Sequence, residues 1–534
     1  MQTIYYNGTI LKMDDKEEAA QAVLVEDVKI AGIGSLEEVK EMAKDEVEMY
    51  DLAGRTLMPS FIDAHSHITM ASQMMMYADL TNCSSFADIV QALKEYAAGG
   101  TPLCSKVIVG FGYDHNVLEE ERHPDKMLLD KVSEDIPVFI IHVSGHMGVM
   151  NSKGLMAAQI TEETPDPEGG HFGRLEGSLV PDGYLEEAAL MQLQYAFAGH
   201  MQVDAKDALL KVQQMYLQYG VTTVQDGASA KETIGFLKGM AENGLLKLDV
   251  VAYPVMNDEI AEGKASYAEC NSGYENHFRV GGYKVILDGS PQGKSAWLSK
   301  PYENEETYCG YPWLSDEKVL SYCKAAIKHK RQLLAHCNGD AASEQYLNCY
   351  ENALKETEDK ACDLRPVMIH CQTVRKDQIE RMEKLDMIAS VFVGHVYYWG
   401  DVHLKNLGEA RAMSISPAGT ALKHNLIVTF HQDTPVTKPD MLHSVWCAVE
   451  RHTKKGVLLN KDECISVYEA LKAVTINAAY QYHEEDKKGS IENGKNADLV
   501  ILDKNPLEVP YEQLKDIQVD VTIKDGKHLY TRNK

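Results

Sequence analysis

The feature that most constrains this chain is a series of eight short apolar segments, each followed by a helical pattern: "LMPSFIDAH", "VTTVQD", "LDVVAYPV", "GGYKVIL", "RQLLAH", "RPVMIH", "IASVFV" and "NLIVTFHQD". Short apolar runs spaced by helices suit parallel strands buried on both faces. Eight of them is the number that a closed (β/α)₈ barrel needs. The expected fold is therefore α/β, a TIM-like barrel over residues 58–475 with a large insertion after the first strand, over about 70–218. That interval is far longer than one βα connection, so it predicts a small core of its own. Its strands would include "KVIVGFGYD" and "PVFIIHVSGHMGVMN". Inserted at the barrel's C-terminal face, it would be placed to act as a lid or pocket wall. Both chain ends read differently: "TIYYNGTILKMDD" with "AVLVEDVKIAGIG", and "GSIENGKNADLVILDKNP" with "VDVTIKDGKHLYTR", carry strand alternation with Asn-Gly and Asp-Gly turn signals. Residues 1–57 and 476–534 are expected to form one composite β-sandwich.

Composition matters here mainly for what it excludes. With 44% hydrophobic and 25% charged residues the chain is ordinary globular material. A net charge of -27 argues against a nucleic-acid footprint, which needs clustered Lys and Arg. No apolar run reaches the roughly 18 residues of a membrane span, and the start "MQTIYYNGTILKMDDKEEAA" lacks the basic and apolar regions of a signal peptide. The 11 cysteines, from Cys83 to Cys464 with no C-x-x-C pair, suit reduced thiols in a cytosol. The expected setting is cytoplasmic, with a small molecule as partner, no nucleic acid and no membrane. The sequence leaves the oligomeric state open, a homodimer being one option since barrels of this kind often pair.

In a parallel barrel, reactive side chains come from the C-terminal ends of strands. Here those ends carry His65 and His67 (first strand), Lys284 (fourth), His336 (fifth), His370 (sixth) and Asp433 (eighth). Residues i and i+2 of a strand face one side, so His65 and His67 can grip one borderline metal such as Zn²⁺. A lone H-x-H pair is weak, being as readily a core or surface pair, but three more ligand-type residues at strand ends change the weight of the set. Lys284 could instead pair with Asp288, four residues on along the same face. Cys337 and Cys371 each follow a histidine and so should face away from the barrel mouth into packing. Asn338, Gly339 and Asp340 begin the loop after the fifth strand.

At these residues the chain resembles the amidohydrolase superfamily, and within it the YtcJ-like branch that includes N-substituted formamide deformylase. The resemblance covers nearly the whole chain. "FIDAHSH", "GGYKVILDGSPQGKSAWLSKPY", "AHCNGDAA", "IHCQTV" and "FHQDTPV" are similar to its first-, fourth-, fifth-, sixth- and eighth-strand motifs, and "TINAAY" and "KGSIENGKNADLVILDKNPL" to its closing tail. The resemblance implies a centre of one or two divalent ions, with Zn²⁺ preferred and Fe, Mn or Co compatible. His65, His67 and Asp433 would hold the more buried ion, His336 and His370 the more exposed one, and Lys284 would bridge them as a CO₂-derived carbamate. An ammonium repels a dication; its carbamate offers two anionic oxygens. Candidate substrate contacts are His395 and Tyr398 after the seventh strand, Trp297 after the fourth, and Asp114 and His146 in the insertion. His395 and Tyr398 could equally be part of an aromatic cluster, and Ser144 stands where the branch often has Asp before the Gly-His of His146.

The function these residues imply is metal-dependent hydrolysis of a non-peptide amide-type C–N bond of a small molecule. The metal would bring the pKa of a bound water toward about 7, giving hydroxide at neutral pH, and Asp433 would serve as general base and then acid. Three alternatives use the same residues: a mononuclear deaminase of a cyclic C–N substrate, an ester, lactone or carbamate hydrolase, and a non-enzymatic metal-binding regulator.

Overall fold

The computed structural model describes residues 2–14, 20–44, 46–99, 106–167, 169–198, 204–265, 267, 273–357 and 363–533. It divides into two units, one of residues 1–68, 213–434 and 438–534, the other of 69–212 with 435–437.

In the first unit the eight apolar segments are strands: Phe61–Ile62, Val221–Ser229, Asp249–Pro254, Gly282–Ile286, Gln332–Cys337, Val367–His370, Ile388–Val391 and Val428–Phe430. A further short strand, Phe278–Val280, precedes the fourth. All pair in parallel, with helices on the connections. Nearly every strand residue is buried, which is why the segments read as continuous apolar runs rather than alternating ones. Ile62, Val251, Leu334, Val367, Ile369 and Ile388 share one core with Ala478, Ala479 and Tyr482. Each of the Ile, Val and Leu side chains contributes on the order of 1.5–3 kcal/mol of burial.

The expected closed barrel is corrected. The strands form a four-stranded sheet, the first three plus Phe278–Val280, and a five-stranded sheet of the fourth to eighth. Two seams separate them. At one, Gly281 lets the chain step between sheets, and the bridge Val255↔Lys284 joins them. A Cβ at Gly281 would lie 2.6 Å from the Tyr253 ring, so only glycine fits that step. At the other, no ladder pairs the eighth strand with the first among the described residues. The reason lies in the segment "LMPSFIDAH": Thr56–Pro59 pairs with Leu499–Leu502 in a terminal sheet, which leaves only Phe61–Ile62 for the barrel. The Ile62 N–H then donates to Val474 O, and the His67 N–H donates to Thr434 O across the gap.

The chain ends build a four-stranded sheet (Lys29–Gly34, Ala22–Glu26, Gln2–Tyr6, Glu48–Asp51) and a five-stranded one (Thr9–Ile10, Thr56–Pro59, Leu499–Leu502, Val519–Lys524, Lys527–Thr531). Tyr5, Val23, Ile30, Leu57, Leu499, Val521 and Ile523 pack into a single core. Buried ion pairs anchor the third strand to this sheet: Asp249 Oδ2 takes Lys488 and, at 2.9 Å, Lys524, which also reaches Asp498 at 3.0 Å.

The second unit holds a six-stranded sheet in the order Gly170–Arg174, Pro181–Glu187, Met147–Met150, Val138–His142, Ile108–Tyr113, Ala78–Asp79. Separate apolar clusters pack around Phe139 and Leu190, and around Ile89 and Ile140. "PVFIIHVSGHMGVMN" is not one strand but an antiparallel pair, Val138–His142 with Met147–Met150, turning at Gly145, whose φ is 74°.

Candidate metal centre

His65 follows the first strand and is fully buried. Its Nδ1 lies 2.6 Å from Gln225 Oε1 on the second strand. The Gln225 amide is itself oriented, since its Nε2 donates to Ala64 O at 3.0 Å and to the Tyr482 hydroxyl at 3.1 Å. A carbonyl oxygen only accepts, so His65 carries its proton on Nδ1 and leaves the Nε2 lone pair free. That lone pair faces Lys284 Nζ at 3.1 Å and Asp433 Oδ1 at 3.4 Å, and His67 Nε2 approaches the same carboxylate oxygen at 3.4 Å.

Lys284 is 1% exposed, and burial pulls its ammonium down to about 7, with the charge of Asp433 opposing. It does not pair with Asp288. The fourth strand ends at Ile286, so the alternation that would align the two residues stops before Asp288. Asp288 instead accepts from the backbone N–H groups of Trp297 (3.0 Å), Asn338 (3.0 Å) and Gly339 (2.6 Å), and its Oδ1 lies 3.2 Å from His336 Nδ1. It thereby holds the loop after the fifth strand and supports His336 at Nδ1, the usual carboxylate support of a ligand imidazole, while Asn338 Nδ2 lies 3.4 Å from His336 Nε2.

The His370 ring stands edge-on to His336 with centroids 4.4 Å apart, and 5.6 Å from that of His65. His370 and Asp433 both hold left-handed backbone, φ 77° and 53°. Such strain costs about 1–3 kcal/mol per residue and persists where surrounding structure imposes it, commonly at functional sites. One ligand atom each from His65, His370 and Asp433 lies within 4.8 Å of the others. His370 Nδ1 is buried with no hydrogen-bond partner, and Asp433 Oδ1 has for neighbours the His65 and His67 imidazoles, each at 3.4 Å. Buried polar atoms without partners are uncommon, and an imidazole–carboxylate set with an atom left over is the donor chemistry of a divalent cation. The residues fit such an ion.

Electrostatics agree. Burial pushes His65 and His370 well below the ordinary histidine range, so both are neutral, as ligation requires. Burial alone would raise Asp433, but the imidazoles of His67, His370 and His65 overcome it and hold the carboxyl well below its usual range. Within the set the His67 side chain is the most open at 19%, whereas His370 is 2% exposed.

Two residues were not singled out from the sequence. Gln225 lies in "VTTVQD", where a glutamine on an apolar strand was the available signal. His431, two residues before Asp433, is fully buried with neither ring nitrogen hydrogen-bonded, and its centroid is 5.2 Å from His65 and 5.1 Å from His370. The i, i+2 spacing that drew attention to His65 and His67 was equally present in "FHQD".

The other predicted residues are placed as follows. His395 opens the helix His395–Leu407, its ring edge-on to Phe392 at 4.7 Å. Tyr398 lies in an aromatic cluster with Tyr397, Trp399 and His443. Trp297 binds Asp288 through its backbone N–H. Cys337 and Cys371 are buried, their thiols against the carbonyls of Ala342 (3.8 Å) and Met368 (3.3 Å). Asp114 and His146 belong to the second unit. There Asp114 Oδ1 accepts from Asn116 N and Nδ2 at 2.9 and 3.0 Å, with His142 Nε2 at 3.4 Å. His142 Nδ1 accepts from the Ser144 N–H at 3.1 Å. Asp114, His115 and His142 form a second group whose ligand atoms lie within 4.8 Å of one another. His146 Nδ1 meets Glu187 Oε2 at 2.8 Å.

Comparison with known proteins gives a consistent result. The model of the amidohydrolase family matches residues 48–530. The chain is 26% identical over 559 residues to YtcJ of Bacillus subtilis, named as an amidohydrolase, covering 100% of both. It is 27% identical over 547 residues to N-substituted formamide deformylase of Arthrobacter pascens, covering 98% of each. The crystal structure of a metal-dependent hydrolase from Pyrococcus horikoshii OT3 shares the fold, with a TM-score of 0.78 and 24% identity, covering 99% of this chain and 100% of that one. A family match spanning nearly the full length, on a parallel α/β frame that gathers histidines and an aspartate at its strand ends, establishes that the chain belongs to the amidohydrolase family.

Proposed function

We propose that this protein is a metal-dependent hydrolase of amide-type C–N bonds, other than peptide bonds, in small molecules. The observation that carries the reading is the convergence of His65, His370 and Asp433 beside the buried amine of Lys284, with His370 Nδ1 lacking a partner. His65, His67, His336, His370 and Asp433 would hold the metal, Zn²⁺ being well suited to this donor set. When bound, the ion supplies acidification of water toward a pKa of about 7 and polarisation of a carbonyl.

The protein's own groups do the rest. Gln225 and Asp288 set the tautomers of His65 and His336. Lys284, pulled down to about 7, is substantially neutral at neutral pH. Its amine lone pair can attack CO₂, forming an N–C bond and releasing one proton to leave a carbamate. Asp433, its carboxyl held ionised, accepts the proton of the attacking water and delivers it to the nitrogen of the departing amine. The relation to a formamide deformylase makes N-substituted formamides the substrates to test first.

The deciding experiment measures metal per chain by mass spectrometry on protein purified with bicarbonate and without chelator, beside Lys284→Ala, together with hydrolysis of 4-nitroformanilide. Close to two ions, falling in the variant, with 4-nitroaniline released, is the expected outcome. One ion, unchanged in the variant, would make Lys284 structural and favour a mononuclear deaminase.

A further inference from the structure

His395 and His403 lie on one face of the helix His395–Leu407, eight residues apart. His395 Nδ1 is 3.0 Å from His403 Nε2, and the rings are nearly parallel, 11° apart at a centroid distance of 5.3 Å. His395 is 3% exposed and His403 fully buried. His403 Nδ1 has no hydrogen-bond partner.

Only one proton can lie between the two facing nitrogens. If His395 donates it, His403 must carry its own proton on Nδ1, and a buried N–H is left with no acceptor. If His403 donates from Nε2, the atom left over is a bare lone pair. Orphaned buried N–H groups are the rarer and costlier of the two, so the second arrangement prevails. Charged forms do not intervene: burial pushes His403 down to about 3 and His395 well below its ordinary value.

With Nδ1 of His395 accepting, its proton sits on Nε2. That nitrogen belongs to a ring on the edge of the histidine cluster. Phe392 packs against it at 4.7 Å while lying 5.2 Å from His431 and 6.4 Å from His370. Asp433, His431 and His336 all act on it electrostatically. We propose that His403 is a positioning residue: it fixes His395 as the Nε2–H tautomer, so that His395 donates a hydrogen bond to the substrate carbonyl oxygen as negative charge develops there. This deepens the amide-hydrolase reading and rests on it for the identity of the acceptor. A donor preset toward developing charge is worth far more than one that must first change tautomer.

The test compares full-length, metal-loaded wild type with His403→Leu, which removes the donor, and His403→Gln, whose amide N–H₂ can replace it. The first readout is the His395 tautomer by ¹⁵N NMR of histidine-labelled protein, the signal being identified by its loss in His395→Asn. The second is the split of kcat against KM on 4-nitroformanilide. We expect Nε2–H in the wild type, a mixture of tautomers in His403→Leu with kcat about 10- to 100-fold lower and KM within about 3-fold, and recovery of most of both in His403→Gln. A wild-type His395 protonated on Nδ1, a tautomer indifferent to His403→Leu, or equal losses in the Leu and Gln variants would overturn the proposal. Protein that binds metal but cleaves no formamide counts against the amide reading, and the NMR comparison then decides the role of His403 by itself.

Discussion

Replacing Gln225 by methionine keeps the side chain's length and removes the acceptor that sits 2.6 Å from His65 Nδ1. The magnitude follows from what else loses a partner. Ala64 O still accepts from Gln481 Nε2 at 2.7 Å, and the Tyr482 hydroxyl still donates to Asp63 O at 2.7 Å. The one group left orphaned is therefore the Nδ1–H of His65, in the tautomer that binds metal through Nε2. An unsatisfied buried N–H costs about 1–3 kcal/mol. With each tenfold worth about 1.4 kcal/mol, Zn²⁺ affinity should fall roughly 10- to 100-fold, the range typical for removing the support of a ligand histidine. The assay is competition of metal-free protein against a chromophoric chelator, with thermal unfolding of the same samples as a control on folding. Gln481→Met removes a neighbouring amide that also bonds Ala64 O but does not touch His65, and should leave affinity within about 3-fold. Unchanged affinity in Gln225→Met, or an equal loss in Gln481→Met, would refute the idea that Gln225 prepares His65 for a metal.

Asp249→Asn should lower stability by about 3 kcal/mol, the low end for breaking a buried ion pair, because Lys488 keeps Glu484 at 3.0 Å and Lys524 keeps Asp498; urea unfolding followed by circular dichroism measures it. Asp249 has its carboxyl held well below the usual range by Lys488 and Lys524 against the opposing effect of burial. Its contribution is thus complete above the unfolded value of about 3.9 and is lost as pH falls below it. The stability gap between wild type and Asp249→Asn should accordingly narrow from pH 5 toward pH 3; a gap that stays constant contradicts the assignment. Gly526→Ala should destabilise by about 1–3 kcal/mol in the same assay. Gly526 has φ 72° in the Asp525–Gly526 turn, and a Cβ there would meet Asp27 O at 2.0 Å; an unaffected urea midpoint would show that the turn adapts.

The eight strand segments were legible because strands buried on both faces leave an apolar run that solvent-facing structure does not produce. His65, His67, Lys284, His336, His370 and Asp433 stood out because each closes such a run, and a strand's end is a position that sequence alone marks. Closure of the barrel was not legible. It turned on how "LMPSFIDAH" is shared between two sheets, and on backbone donors of Ile62 and His67 that found partners at Val474 and Thr434. Nothing in the local pattern distinguishes a strand that serves one sheet from a strand that is divided at Ser60.

What the sequence by itself determined is therefore the periodic frame and the kinds of ligand atom carried at its ends, since both follow from residue type and spacing along the chain. What only the tertiary structure decided is which partner each imidazole nitrogen meets. Gln225 reaches His65 from 160 residues away, Asp288 reaches His336 from 48, and His403 reaches His395 across two helical turns. A tautomer is settled by the partner of the opposite ring nitrogen, and that partner is chosen by packing rather than by proximity in sequence.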